Sequence, residues 1–170
     1  MYSEIDVYYL RIKDLRDQVI NLIDGLQVEA LNWRPKLNVD EDNEIINSIA
    51  VLAAHIAGSE LYWISEIVGK NPPTRDRNEE FATHVDDSAI LKQKLENAGE
   101  ITKKVLYSLT PEDLNDIRFV ENKEVPVRWG ILHIIDHTAL HLGHMQITYQ
   151  LFFGGKSKPT PFWYERLPKT

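Results

Sequence analysis

The stretch RWGILHIIDHTALHLGHMQITYQL, residues 128–151, carries the most information about the fold and the chemistry of this chain. It has the apolar periodicity of an amphipathic helix and carries four of the six histidines in the sequence. At roughly 100° per residue, these four fall within about 80° of one another around the helix axis. They are His133, His137, His141 and His144. The sequence therefore predicts a long helix with a stripe of histidines along one side.

Two of these histidines have the spacing of metal ligands. His137 and His141 are four residues apart, so their imidazoles stand about 6 Å apart along the helix axis and can converge on one ion. We expect the third ligand to be His55, in the apolar helical stretch INSIAVLAAHIAGSELYWISEIVG at residues 46–69. Imidazole suits zinc, copper, iron or nickel, and three protein ligands leave positions open for water or substrate. The pattern therefore indicates catalysis more than a structural clip.

Other polar residues near these positions remain open to interpretation. His133 and His144 lie about one turn outside the pair. Three roles are open to each of them: a hydrogen-bond donor to a metal-ligating side chain, part of the pocket wall, or an ordinary hydrogen-bonded histidine. Ser59 and Tyr62 follow His55 by four and seven residues, so they either line the same cavity or take part in ordinary packing. The predicted ligand set stays at three histidines, and no general base is assigned.

The composition is that of one domain with a complete core. The chain has 170 residues, is 43% hydrophobic and is predicted to form a single domain over residues 1–170. Its net charge is −7 and no cluster of lysine and arginine interrupts that balance, so we expect no nucleic-acid partner. No apolar run approaches the ~20 residues of a membrane span, and the N-terminus is acidic where a signal peptide needs a basic start. We expect no membrane partner and a cytoplasmic location.

The absence of cysteine restricts the chemistry further. It excludes a cysteine nucleophile, a thiolate zinc site and any disulfide framework. Histidine and carboxylate are then the only strong metal ligands in the chain. If thiol chemistry occurs, the thiol must arrive as a substrate.

Four helical stretches account for most of the sequence. They run from about Glu4 to Asp24, Glu44 to Gly69, Asp87 to Leu109 and Arg128 to Leu151. Between the second and third, the charged stretch NPPTRDRNEEFATHVD at residues 71–86 predicts a connection across the bundle that is either functional or mobile. A hairpin is expected around residues 121–123. The expected core includes Leu15, Leu52, Ile101 and Leu132.

Two motifs resemble those of the DinB/YfiT-like superfamily. NSIAVLAAHIAGSELYW, residues 47–63, is similar to the part of the second helix that carries the first histidine ligand of that family, and HTALHLGHMQ, residues 137–146, is similar to its HxxxH motif. The resemblance implies an all-α, DinB-like four-helix bundle of up-up-down-down topology, with a long crossover between helices 2 and 3. It also implies that His55, His137 and His141 are the metal ligands and that the protein is a homodimer.

The resemblance also implies a function. We expect a cytoplasmic metal-dependent enzyme with one divalent ion, zinc or nickel, that transfers a low-molecular-weight thiol to electrophilic small molecules. The ion would lower the pKa of a bound water or thiol near neutral pH, and metal binding should be lost below about pH 6. The alternatives are a metal-dependent hydrolase of amide or ester bonds, or a non-catalytic metal- or ligand-binding bundle.

Overall fold

The computed structural model describes residues 1–35 and 46–167. Helices dominate these residues. They are α1 (Glu4–Ile23), α2 (Val28–Asn32), α3 (Ile49–Glu60), α4 (Arg77–Phe81), α5 (Ser88–Ser108) and α6 (Val127–Phe152). A π-helical segment, Leu61–Val68, continues α3, and two short 3-10 turns occupy Asp113–Asn115 and Trp163–Glu165. The only described strands, β1 (Ile117–Val120) and β2 (Lys123–Pro126), pair antiparallel.

Local sequence signals explain where the elements start and stop. Ser3 caps α1 and forms a capping box with Asp6, which satisfies amide groups at the helix start. Gly25, just beyond the end of α1, has a φ of 67°, a left-handed conformation that favours glycine. Glu121 and Asn122 form the predicted hairpin turn with φ values of 48° and 66°, as a two-residue turn between twisted strands requires.

Four long helices form the bundle, and contacts between their ends show the direction in which each one runs. The start of α1 lies beside the start of α6, because Arg128 Nε donates to Glu4 Oε1 at 2.7 Å. The start of α5 lies beside the end of α1, because Lys92 Nζ lies 2.6 Å from Asp24 Oδ1. Helix α1 therefore runs parallel to α6 and antiparallel to α5.

Helix α3 runs opposite to α6, since His55 near its start contacts His137 while Trp63 lies beside Gly130 near the start of α6. The resulting order of directions is up-down-down-up. The all-α, DinB-like bundle is confirmed, and the crossover lies between the second and third long helices as predicted. The directions differ from the expected up-up-down-down order. The physical reason is that residues 70–87 return along the length of the bundle to the end at which α3 begins. Helix α5 therefore starts at that end and runs parallel to α3.

The core agrees with the predicted periodicity except at one residue. Leu15 and Leu52 are buried, and Ile101 is partly buried against the core. Leu132 was expected in the core but is 43% exposed, because it lies on the outer side of α6 while Ile131 and Ile134 point inward. Within the described residues, no helix is both long and apolar enough to span a membrane.

The second long helix differs from its prediction in internal geometry. Its predicted first residues, Glu44 and Ile45, lie outside the described residues, and α3 begins at Ile49 after the N-cap Ser48. The change from α to π geometry after Glu60 follows directly on the residues that face the histidines of α6. Such wider turns alter the register of side chains and are frequent at functional sites.

Candidate metal centre

The three predicted ligands meet between α3 and α6. His55 is buried on α3, where Ala53, Ala54 and Ala57 surround it with small side chains, and its exposed fraction is 5%. His137 and His141 lie on successive turns of α6 and are partly buried. The crossing of α3 and α6 thus brings together side chains that are 82 residues apart in sequence.

The geometry around the meeting point is close. His55 Nε2 lies 3.1 Å from His137 Nε2. The ring centroid of His141 is 5.0 Å from that of His55 and 4.4 Å from that of His137. One ligand nitrogen from each ring lies within 4.8 Å of the others, and within the described part of the chain these three form the group able to hold a metal. The structure therefore assembles the three residues that the sequence singled out.

Two residues that the sequence did not single out lie behind His55. Glu80 of α4 accepts a hydrogen bond at Oε2 from the Nδ1 side of His55, at 2.8 Å. Arg75 donates to both carboxylate oxygens of Glu80, with Nε at 2.6 Å from Oε1 and Nη2 at 2.8 Å from Oε2. Both residues belong to the charged crossover, for which the sequence predicts either a functional or a mobile connection. The available sequence signal was Gly58, a mid-helix glycine that permits a close approach.

The same arginine connects Ser59 and Tyr62 to the site. Arg75 Nη2 donates to Ser59 Oγ at 3.1 Å, and Ser59 Oγ lies 3.5 Å from His137 Nε2. The Arg75 guanidinium also lies over the Tyr62 ring, 5.4 Å from its centroid. Ser59 therefore contacts a predicted ligand directly, whereas Tyr62 is connected to the site through Arg75.

Electrostatics keep the α6 histidines neutral. Burial, and then the positive charge that neighbouring histidines carry when protonated, lowers the pKa of His137 to about 3. Burial followed by His55 and His144 lowers the pKa of His141 to about 4. Burial acts to raise the pKa of Glu80, but hydrogen bonds from Arg75 and His55 outweigh it and the pKa is lowered. The lowered pKa values of His137 and His141 favour the neutral imidazoles that metal ligation needs.

The remaining two histidines of the stripe lie outside the group of three. His133 stacks on Trp129 with a ring-centroid distance of 5.0 Å and an interplanar angle of 4°, and its ring is also 4.8 Å from that of Trp63. His144 is exposed, with Nδ1 at 3.4 Å from Nδ1 of His141. His133 therefore belongs to an aromatic wall beside the site, and His144 is placed to orient His141.

The donor set fits a divalent transition-metal ion. Two imidazole nitrogens bound at about 2.0–2.1 Å lie roughly 3.4 Å apart at a tetrahedral centre and roughly 2.9 Å apart at a right angle. The 3.1 Å between the Nε2 atoms of His55 and His137 falls between these values. The donors are three imidazole nitrogens without a thiolate or carboxylate in the group, which suits zinc, copper, iron or nickel and not magnesium or calcium.

Comparison with known proteins identifies the family. The sequence profile of the DinB superfamily matches residues 11–145, a span that includes all three histidines. The chain belongs to the DinB superfamily. A relative in Bacillus subtilis (strain 168), the uncharacterized protein YkkA, is 27% identical over an alignment of 113 residues, and the match covers 59% of this chain. This DinB-superfamily chain spans 63% of the length of that relative.

A solved structure supports the fold assignment. The crystal structure of a conserved protein from Enterococcus faecalis is similar to this DinB-superfamily chain with a TM-score of 0.72. The match covers 91% of this chain and 99% of the other, at 17% sequence identity. At that identity the likeness establishes the shared fold, and the chemistry must be argued from the site itself.

Proposed function

We propose that this DinB-superfamily protein is a metal-dependent enzyme that transfers a low-molecular-weight thiol to an electrophilic small molecule. His55, His137 and His141 would hold one divalent ion, zinc or nickel. The observation that carries the proposal is the convergence of three imidazoles, with ligand atoms within 4.8 Å of one another, at a place where α6 is only partly buried. Three protein ligands leave coordination positions for a reactant.

The chemistry that such an ion supplies when bound is Lewis-acid activation of a thiol or a water near neutral pH. The chain's own residues prepare the site for it. Glu80 orients His55, and Arg75 places the Ser59 hydroxyl 3.5 Å from His137 Nε2, where it can hydrogen-bond a reactant. On the other side, Trp63, Trp129 and His133 pack against one another as an aromatic wall beside the site.

The proposed reaction balances without a redox partner. The thiol loses its proton to solvent, and its sulfur attacks the electrophilic carbon of the second substrate. A sulfur–carbon bond forms while the bond from that carbon to its leaving group breaks, and the leaving group departs with the bonding electron pair. The chain has no cysteine, so the sulfur comes from the substrate and no protein thiol competes with it.

A paired metal and activity assay tests the proposal. Protein purified without chelator is assayed for zinc and nickel content, then incubated with glutathione or bacillithiol and monobromobimane. We expect about one ion per chain and a thiol-transfer rate above the uncatalysed rate that disappears with chelation. His137→Ala should abolish both, while the matched control His84→Ala, at an exposed histidine of the crossover, should change neither.

The same assay distinguishes the alternatives. Hydrolysis of nitrophenyl acetate by the metal-loaded protein, with no thiol transfer, would replace the proposed reaction by ester or amide hydrolysis. A metal content near zero, or unchanged ligand binding by His137→Ala, would favour a non-catalytic bundle and overturn the enzyme proposal.

We also propose that the protein is a homodimer through α6. Large apolar side chains are 43–59% exposed along the outer side of that helix. They are Trp129, Leu132, Leu140, Ile147 and Leu151. Near the middle of this stripe, a Cβ added at Gly143 would meet no atom within 4 Å, so the backbone is open to a close approach. Two such stripes can pack around a twofold axis.

Sedimentation velocity tests the dimer proposal. Ile147→Glu should shift the protein toward monomer, because it places a charge within the apolar stripe. Ile90→Glu is the matched control, since Ile90 is an exposed isoleucine on α5, away from α6. A wild-type protein that sediments as a monomer at all concentrations, or an unchanged dimer for Ile147→Glu, would contradict the proposal.

A further inference from the structure

Glu80 is a buried carboxylate whose contacts are directed at a proposed ligand rather than at the core. Its exposed fraction is 7%, and its side chain reaches from α4, in the crossover, to His55 on α3. Its Oε1 accepts a hydrogen bond from Arg75 Nε, and its Oε2 is hydrogen-bonded to both Arg75 Nη2 and His55 Nδ1. Every oxygen of this carboxylate is hydrogen-bonded, as a buried anion requires.

The helix opposite Glu80 is shaped to receive it. A Cβ added at Gly58 would lie 2.0 Å from Glu80 Oε1 and 2.6 Å from its Cδ. Any side chain at position 58 would therefore displace the carboxylate from His55. A glycine inside a helix lowers helix stability by roughly 1 kcal/mol relative to alanine. Helix α3 nevertheless has a glycine three residues after the proposed ligand His55.

Arg75 fixes the carboxylate from the other side. Its fork binds both oxygens, and its Nη2 also donates to Ser59 Oγ at 3.1 Å and lies 3.4 Å from His55 Nδ1. The 2.8 Å between His55 Nδ1 and Glu80 Oε2 is the shorter contact, so the carboxylate is the nearer hydrogen-bond partner of this nitrogen. Asp76, the next residue, caps α4 by accepting from the Glu79 amide at 3.0 Å. The short helix that carries Glu80 is thus fixed at its start by the same segment that supplies the arginine.

From these contacts we propose that Glu80 is a positioning residue that holds His55 as the Nδ1–H tautomer. Arg75 fixes its carboxylate, and the missing side chain at Gly58 leaves room for it. A neutral imidazole has one donor and one acceptor nitrogen, so donation from Nδ1 to a carboxylate leaves the lone pair on Nε2. Nε2 is the atom that faces His137 at 3.1 Å. The inference rests on the proposed metal function, and it gives the crossover a defined role in that function.

Titration of metal-free protein with zinc tests this role. Loss of a carboxylate that supports a histidine ligand typically weakens metal binding about 10- to 100-fold. We expect Glu80→Ala to raise the zinc Kd by about that factor. Glu80→Gln should have a smaller effect, since its amide oxygen can still accept from Nδ1. The matched control Glu79→Gln, at an exposed neighbour on α4, should leave Kd within about twofold.

A second readout separates positioning from loss of structure. Nitrogen-15 NMR of the imidazole in metal-free protein reports which ring nitrogen carries the proton. We expect wild type and Glu80→Gln to show His55 protonated at Nδ1, and Glu80→Ala to show a mixture of tautomers with the fold retained by circular dichroism. A wild-type His55 protonated at Nε2, or an unchanged tautomer in Glu80→Ala, would overturn the inference.

These results distinguish the two proposals. Failure of wild type to bind zinc or nickel would contradict the metal function, whereas the NMR measurement on metal-free protein still decides whether Glu80 fixes the tautomer. A zinc Kd for Glu80→Ala equal to that of wild type, in protein that binds zinc tightly, would contradict the positioning role alone.

Discussion

Two buried glutamates, Glu60 and Glu80, each pair with an arginine, yet their surroundings differ. Glu60 is fully buried between α1, α3 and α5, and both Arg16 and Thr102 donate to its Oε1. Its Oε2 has no partner in the described residues. Burial raises the pKa of Glu60 against the opposing effects of Arg16 and Thr102, whereas the pKa of Glu80 is lowered.

A glycine makes room for each pair. A Cβ added at Gly99 of α5 would lie 2.5 Å from the Arg16 guanidinium carbon, as one at Gly58 would meet the Glu80 carboxylate. The Arg16–Glu60 pair contacts only core elements. The Arg75–Glu80 pair contacts His55 and Ser59. Burial and an arginine partner are common to both carboxylates. They differ in the partner of the remaining hydrogen bond, which is Thr102 for Glu60 and His55 for Glu80.

The largest effect on the free energy of unfolding should come from the core pair. Arg16→Met leaves the Glu60 carboxylate buried without its cation, which typically costs about 3–5 kcal/mol. Urea denaturation at pH 7 measures this loss, and the folded protein should keep its zinc Kd. Arg16→Met combined with Glu60→Leu should recover much of the stability. A loss below about 1 kcal/mol in the single variant would contradict the comparison.

The two glycines should separate the two sites. Gly99→Ala forces the guanidinium away from Glu60, and we expect a loss of about 1–3 kcal/mol in the free energy of unfolding without a change in zinc Kd. Gly58→Ala should weaken zinc binding, because it displaces the end of the Glu80 side chain from His55. Denaturation and zinc titration on both variants check this, and equal effects of both substitutions on zinc Kd would count against it.

Acid should destabilise the metal-free protein through the α6 histidines. Their folded-state pKa values, about 3 for His137 and about 4 for His141, lie below the unfolded reference near 6.5. The unfolded chain therefore binds more protons between these values, and stability falls as pH drops from about 6.5 toward 4. For partly exposed groups we expect about 1–2 kcal/mol at pH 5 relative to pH 7. Denaturation at the two pH values measures it, with His137→Ala less sensitive.

The same pKa values revise the expected pH limit of metal binding. The sequence alone suggested loss below about pH 6, from the reference value of histidine. Since His137 and His141 resist protonation to about pH 4, we expect zinc to remain bound at pH 5.5 and to dissociate at lower pH. Equilibrium dialysis across pH measures occupancy. Full loss already at pH 6 would show that these two rings do not control release.

The smallest effect on stability should come from a ligand itself. His141→Ala removes a partly exposed ring at the edge of the core, so we expect the metal-free protein to lose less than about 1 kcal/mol while zinc binding and activity disappear. Chelated wild type and the variant should melt at similar temperatures. If His141→Ala leaves the chain unfolded at room temperature, the ion is structural and the catalytic proposal fails.

The amino-acid sequence alone predicts the four long helices, the hairpin and the three histidines of the candidate metal centre. These follow from local regularities: the apolar period of α6, the i, i+4 spacing of His137 and His141, and the motif around His55. The absence of cysteine also limited the donor set to histidine and carboxylate. The helices, the hairpin and each histidine motif follow from neighbouring residues in one element, whereas the meeting of His55 with the α6 histidines requires two helices to pack.

The surroundings of those histidines depend on how the helices and the crossover pack together. Arg75 and Glu80 stand in a charged crossover without periodicity, so their sequence does not specify which helix they contact. The direction of each helix, the exposure of Leu132 and the placement of His133 against Trp129 depend on how whole elements pack. Hydrogen bonds between residues far apart in sequence have no local signature, because the helices bring them together only after the chain has folded.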